Sequence, residues 1–478
     1  MESLTKRILA IVLVAVIGVG IGVGAWIFLL APGAGEYKWS ADDCPGAPTD
    51  ISADQIIKVG VIGDTERIQG EGAENGAWLA AKQINTAGGI TVGNTTYYLG
   101  ITSENTDEAN PLLDTSVAVR AAKRLINYKK IQFVTGGFRS EAMGAYQLLF
   151  MEEEIIFWNT GAAPSSWCQY VIDDYDTYKY FFQPSPLNTT ALAIQLITHI
   201  IFTSYIYSNN PLIFNHSLTR FSYIREDYEW TETFEAAMTP ALQNNDYINL
   251  TFTGTSIAAP PDSTPAQMAT YLSRIRGNNT QILIPIFSGP VGTTFATAYY
   301  DDETPCVPIG INVVAQDSEF WSITNGKCEY GITMESVFET NKTSLTLPFW
   351  SAYETEFGHS PIYTAVGSYD AIYQLAWAIE TAQSLDNDIL VTTLEGITKA
   401  NPRLGAGGNG AYWPNSHGPV YGWPYGTGLM IQWYDGSKRL IPGPGQYPSG
   451  LGIMVPPSYG LQNMDPFRLP DWGVYFHD

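Results

Sequence analysis

Reactive side chains are scarce in this chain of 478 residues, with five histidines and four cysteines, and neither set shows the spacing of a metal site. His199, His216, His359, His417 and His477 make no His-x-x-x-His pair. There is also no Gly-x-Ser-x-Gly elbow and no phosphate-loop lysine after a glycine-rich turn. These gaps argue against hydrolase, zinc-protease and nucleotide-hydrolysing designs, and they leave no cofactor to expect. The run Glu152-Glu153-Glu154 reads as a solvated helix end rather than a catalytic cluster. Basic residues are few, 24 against 47 acidic for a net charge of -23. That balance speaks against nucleic acid or an anionic membrane surface as a partner.

One long apolar run is present. Residues 8–31 carry no charge, follow Lys6-Arg7, and exceed the ~7–15 residue core of a cleaved signal peptide. The run reads as an uncleaved transmembrane anchor (1–31) with a cytoplasmic amino terminus, because bases precede it and Glu36, Asp42 and Asp43 follow. Everything beyond it is then expected outside the cell. The Asn-X-Ser/Thr sequons at Asn94, Asn188, Asn215, Asn249, Asn278 and Asn341 fit that side of the membrane as glycosylation sites. An oxidising location permits disulfides, Cys306 with Cys328 because they bracket one short segment, and Cys44 with Cys168 by exclusion. Residues 32–54, rich in Pro, Gly, Asp and Ala, read as a tether.

The folded body alternates strands and helices. Residues 56–62 form a near-continuous β-branched run of the kind buried on both faces of a parallel sheet. A helix to Asn85, a strand at 97–102, a helix at 112–126 and a strand at 131–134 follow. After Pro184-Ser185-Pro186 a second series places strands at 212–214, 247–252, 282–287 and 307–314 between helices. Two α/β lobes in tandem account for this, with both sets of strand ends turned toward a shared cleft.

The stretch 131–164 concentrates the candidate site. A strand stops at Gly136-Gly137, the loop Phe138-Arg139-Ser140 enters a helix, and a second strand at 155–158 stops at Asn159-Thr160-Gly161-Ala162-Ala163. In an open α/β sheet both loops leave the carboxyl ends of parallel strands, where free N–H groups can take a small anion.

Taken together, Ile57-Lys58-Val59, Ala87-Gly88-Gly89-Ile90, the two loops above, Asp227-Tyr228 and Tyr363-Thr364-Ala365 resemble the extracellular solute-binding proteins of branched-chain amino acid ABC transporters. The likeness spans about 56–439 and rests on the order of the motifs. It implies the type I periplasmic binding protein fold, α/β and bilobed, two Rossmann-like parallel-sheet lobes joined by three hinge crossovers. By the resemblance, lobe 1 takes 52–184 and 335–415, lobe 2 takes 185–334 and 416–440, and 441–478 is a Pro/Gly-rich extension. The partners it implies are a small polar, amino-acid-like solute and ABC permease subunits with their ATPases.

Carried over residue by residue, the resemblance makes Ser140 the holder of a ligand carboxylate and gives backbone contacts to Gly161, Ala162 and Ala163, with Ala163 lacking the family's hydroxyl. Tyr228 would close over the ligand, Ser288 would stand where a relative has an aromatic, and Asp317 would meet an ammonium, with Asn312 at the more literal position. Arg139 adds a cation, which would favour a second ligand carboxylate or make an internal salt bridge. Gln69 belongs to a first loop that also holds Asp64, Glu66 and Arg67, too charged for a purely aliphatic ligand. A surface sensor that keeps the fold without transport is the alternative reading.

Overall fold

The computed structural model describes residues 37–184, 188–209, 218–441 and 468–474. The apolar run 8–31, the start of the tether, the strand expected at 212–214, Asn215 and most of the extension 441–478 lie outside the described residues.

The first sheet has the order β2-β3-β1-β4-β5-β6, built from β1 (Ile56–Gly63), β2 (Ile90–Val92), β3 (Thr95–Asn105), β4 (Phe133–Gly136), β5 (Ile156–Asn159) and β6 (Phe181–Phe182). β1 lies between β3 and β4 and is parallel to both. Every residue of β1 except Lys58 is buried, as a strand covered on both faces requires. The helices Ile68–Thr86 and Tyr363–Ala382 pack against each other on this lobe, although nearly 300 residues separate them.

The second sheet has the order β15-β14-β11-β10-β9-β7-β8. Its strands are β7 (Arg220–Glu226), β8 (Thr251–Ala259), β9 (Ile282–Phe287), β10 (Val307–Asn312), β11 (Ile332–Glu335), β14 (Leu429–Tyr434) and β15 (Ser437–Leu440), and a small ribbon of β12 (Arg403–Leu404) and β13 (Asn409–Gly410) stands apart. The strands from β7 to β11 are parallel, and β14 and β15 add an antiparallel edge. The chain passes between the lobes three times. It leaves after β6, returns after β11 to add Val337, Phe349, Trp350 and Tyr353 to the first core, and leaves again to place Met430 in the second.

Three expectations need correction. The tether is shorter than 32–54, because the Trp39 indole is buried and donates to Lys129 O at 2.6 Å, and Asn85 Nδ2 donates to Pro45 O. Residues from Tyr37 onward are thus folded onto lobe 1. The four cysteines are free thiols. Cys306 and Cys328 sit in separate apolar clusters, and Cys168 donates to Gln183 Oε1 at 3.1 Å while Cys44 donates to Ser40 O at 3.6 Å. Burial pushes the Cys44, Cys168 and Cys328 thiols up to about 12. The strand 247–252 runs instead from Thr251 to Ala259.

Asn94, Asn249, Asn278 and Asn341 are exposed, while Asn188 is half-buried and caps the helix Thr189–Asn209 through Ala191 N. That helix is long and apolar enough to cross a membrane, yet 61% of its most apolar window is buried. Leu196, Ile200 and Ile201 place it in the second-lobe core.

Candidate functional site

In both sheets the strand order reverses, beside β1 in the first and β7 in the second, and the loops that leave those points face each other across a cleft. On the first side, β4 ends in Gly136 (φ 119°) and Gly137 (φ 81°), a pair of left-handed positions that L side chains rarely adopt. The chain turns there so that Phe138 and Arg139 reach the cleft before the helix Ser140–Glu152 begins. After β5, a Cβ on Gly161 would lie 1.6 Å from Gly137 O, so the two loops touch only because residue 161 is glycine. Asn159 organises the second loop, with Oδ1 accepting from Gly161 N (3.3 Å) and Ala162 N (2.9 Å) and Nδ2 donating to Ala162 O (2.7 Å).

On the second side, β7 ends at Glu226, which is fully buried between the loops. Its carboxylate accepts from Ser288 N (2.8 Å), Gly289 N (2.9 Å), Trp230 Nε1 (3.0 Å) and Ser288 Oγ. Burial pushes this carboxyl above the ordinary range, and the donors pull it part of the way back. The result is a fixed platform on which Trp230 and Ser288 face the cleft.

Between the two sides lies a cavity of about 60 Å³. Phe138, Leu192, Tyr228, Trp230, Ile311 and Met334 supply mainly apolar walls, and Val313, Tyr363, Ser336 and Gly428 complete the back. Polar groups are few. The Arg139 guanidinium lies 3.9 Å from the centre of the Tyr228 ring, bonds Glu141 Oε2 (3.1 Å) and donates to Asn110 O (2.9 Å). The Tyr228 hydroxyl and Gln316 Oε1 are buried without a hydrogen-bond partner among the described residues. Behind Arg139, Glu108 is fully buried, accepts from Arg139 N, and is pushed up to about 8 by loss of solvent. Direct bonds join the lobes, Gln69 Nε2 to Ser288 O (3.0 Å) and Glu229 N to Glu141 Oε1 (3.2 Å). The cleft is therefore closed.

The structure brings Arg139, Gly161, Ala163, Tyr228 and Ser288 around one cavity. Ser140 and Ala162 are buried one residue behind it, and Gln69 ties the lobes together without bordering the cavity. The amides of Gly161 and Ala162 both donate to Asn159 Oδ1. Asp317 is half-buried, accepts from Glu319 N, and does not border the cavity. The 3-10 turn Val313–Gln316 after β10 puts Gln316 on the wall instead. Asn312 is turned back into lobe 2, donating to Gly292 O.

Sequence reasoning missed Glu226, Glu108, Trp230 and Gln316. The first two are acids whose burial depends on donors distant in sequence, a feature no local pattern carries. No group of three His, Cys, Asp or Glu able to hold a metal occurs among the described residues. The arrangement has the parts to enclose and orient a small molecule.

Residues 56–423 match a family model described as periplasmic binding protein. Among solved structures, a solute binding protein of an ABC transporter from R. palustris in complex with benzoate superposes with a TM-score of 0.63 at 16% identity, covering 84% of this chain and 97% of that one. The branched-chain amino acid transporter substrate binding protein of Streptococcus pneumoniae in complex with isoleucine gives 0.63 at 14% identity over 81% and 99%. A leucine binding protein from Thermotoga maritima gives 0.63 at 13% over 82% and 100%. No curated protein matches the chain.

Proposed function

Because the chain belongs to the periplasmic binding protein family, whose members bind solutes rather than transform them, we propose that it captures a small carboxylic acid with an apolar body between its lobes and hands it to an ABC permease. The observation that carries this reading is the closed cavity at the facing strand ends, walled by Phe138, Trp230, Ile311 and Met334, with the Arg139 cation at its edge. Apolar walls favour an aryl or branched alkyl group by area removed from water. Arg139 and the amino end of the helix Ser140–Glu152 favour negative charge at the opposite end. Tyr228, held by the Arg139 guanidinium, covers the mouth from lobe 2. Ligands of this type are named for relatives of the same fold, one with benzoate and one with isoleucine.

In this reading residues 8–31 anchor the protein and leave the binding lobes outside the cell. Isothermal titration of the protein with benzoate, 4-hydroxybenzoate, isoleucine, glutamate and glucose tests the ligand class. Saturable binding of an apolar monocarboxylate with a negative heat-capacity change is expected. Binding of glucose alone, or of none of the five, would contradict the proposal.

A further inference from the structure

Directly behind the ligand cavity, at the hinge, lies a second cavity of about 40 Å³ bordered by Pro184, Ser336 and Thr427. These three residues come from the three passages of the chain between the lobes. Lys342, which is buried, and Asp370, which is half-buried, face this cavity. The Lys342 ammonium donates to Ser336 O and to Thr427 O, each at 2.7 Å. Ser336 and Gly428, the residue after Thr427, are themselves walls of the ligand cavity. One side chain thus grips two crossovers at points next to the ligand cavity without bordering that cavity itself.

The neighbouring groups extend this arrangement. Asp370 accepts from Ala406 N (2.7 Å) and Gly407 N (2.9 Å), and Thr343 Oγ1 and Thr346 Oγ1 donate to Gly405 O and Ala406 O (2.8 Å each). The loop that feeds the third crossover is therefore fixed to lobe 1. From lobe 2, Lys438 pairs with Glu335 (3.5 Å) and Gln195 Oε1 accepts from Gly428 N. The second and third crossovers are thus held from both sides. An aliphatic residue would fill the Lys342 site without the cost of burying charge, which burial here expresses by pulling the ammonium down to about 7. The carbonyls it satisfies are what a hydrocarbon cannot replace.

We propose that Lys342 is a positioning residue for the interlobe site: by clamping Ser336 and Thr427 it sets the relative placement of two crossovers, and through them the closed form that binds ligand. The claim about ligand affinity rests on the function proposed above, whereas the claim about the hinge does not. Hydrogen exchange on the full-length protein in detergent separates them. In Lys342→Met, amides of 335–340 and 425–430 should exchange about tenfold or more faster, while those of β1 and β9 keep their protection. Lys342→Arg, which retains a cation with several donors, should restore most of the difference. Where the wild type binds benzoate, Lys342→Met should bind it roughly tenfold more weakly, in proportion to the lost closed fraction. If the wild type binds none of the titrated acids, only the function proposal falls and the exchange result still decides the hinge. Unchanged exchange at both crossovers, or equal loss of protection in β1 and β9, would overturn the assignment. If Lys342→Met does not fold, Lys342→Gln replaces it in the same comparison under the same two criteria.

Discussion

Gly161→Ala is the sharpest perturbation of the site. The added Cβ would sit 1.6 Å from Gly137 O and 2.9 Å from Phe138 Cα. Ordinary contact begins near 3.4 Å, so one loop must retreat by close to 2 Å, and both partners are backbone. Overpacking against side chains costs about 1–3 kcal/mol, and rigid backbone puts this case at or above about 3 kcal/mol. At ~2–4 °C per kcal/mol for a lobe of this size, calorimetry should show lobe 1 melting roughly 6–12 °C lower. Phe138 and Arg139 ride on the displaced loop, so affinity for any cleft ligand should fall with it. Gly277→Ala is the internal control, because a Cβ there meets nothing within 4 Å and its φ is not positive. It should leave stability unchanged or raise it by up to about 1 kcal/mol. A Gly161→Ala protein melting together with wild type would refute the claim that the two loops touch.

Tyr228→Phe should bind within about threefold of wild type, since the hydroxyl has no partner and the ring keeps its place under Arg139, whereas Tyr228→Ala should cost about 2 kcal/mol, read by titration calorimetry. Glu108→Gln should make stability less sensitive to pH. The folded carboxyl is raised from 4.5 to about 8, so its contribution is fully present below pH 4.5 and is lost as pH climbs through 8, by up to about 5 kcal/mol. Urea denaturation at pH 5 and pH 8.5 should show the variant gaining on wild type at the higher pH, and an unchanged gap would contradict the burial argument. Thiol titration should find none of the four cysteines reacting readily in the native protein and all four after denaturation.

What the sequence disclosed depended on how local the signal was. β1, β9 and β10 are continuous apolar runs and announce themselves as central strands. β7 does not, because Arg220, Arg225 and Glu226 give it the appearance of a surface loop. Only the donors of Ser288, Gly289 and Trp230, some sixty residues away or across a helical turn, explain how Glu226 can end a buried strand. The loop after β5 held a readable clue in Asn159, whose side chain is placed to take the N–H groups two and three residues on. The one-residue offset between Asp317 and Gln316 was not readable. It follows from a single 3-10 turn after β10, and a change of one residue there reverses which side chain faces the cleft. Cysteine pairing failed as an expectation for a similar reason, since sequence separation says nothing about which apolar cluster a thiol joins.

A crystal structure of the protein with its best-bound acid tests the account most directly. The carboxylate should lie within hydrogen-bonding reach of Arg139, with the apolar body against Phe138, Trp230 and Ile311 and with Tyr228 closed over it. Density for the acid anywhere outside that cavity, or lobes that close without enclosing it, would contradict the account.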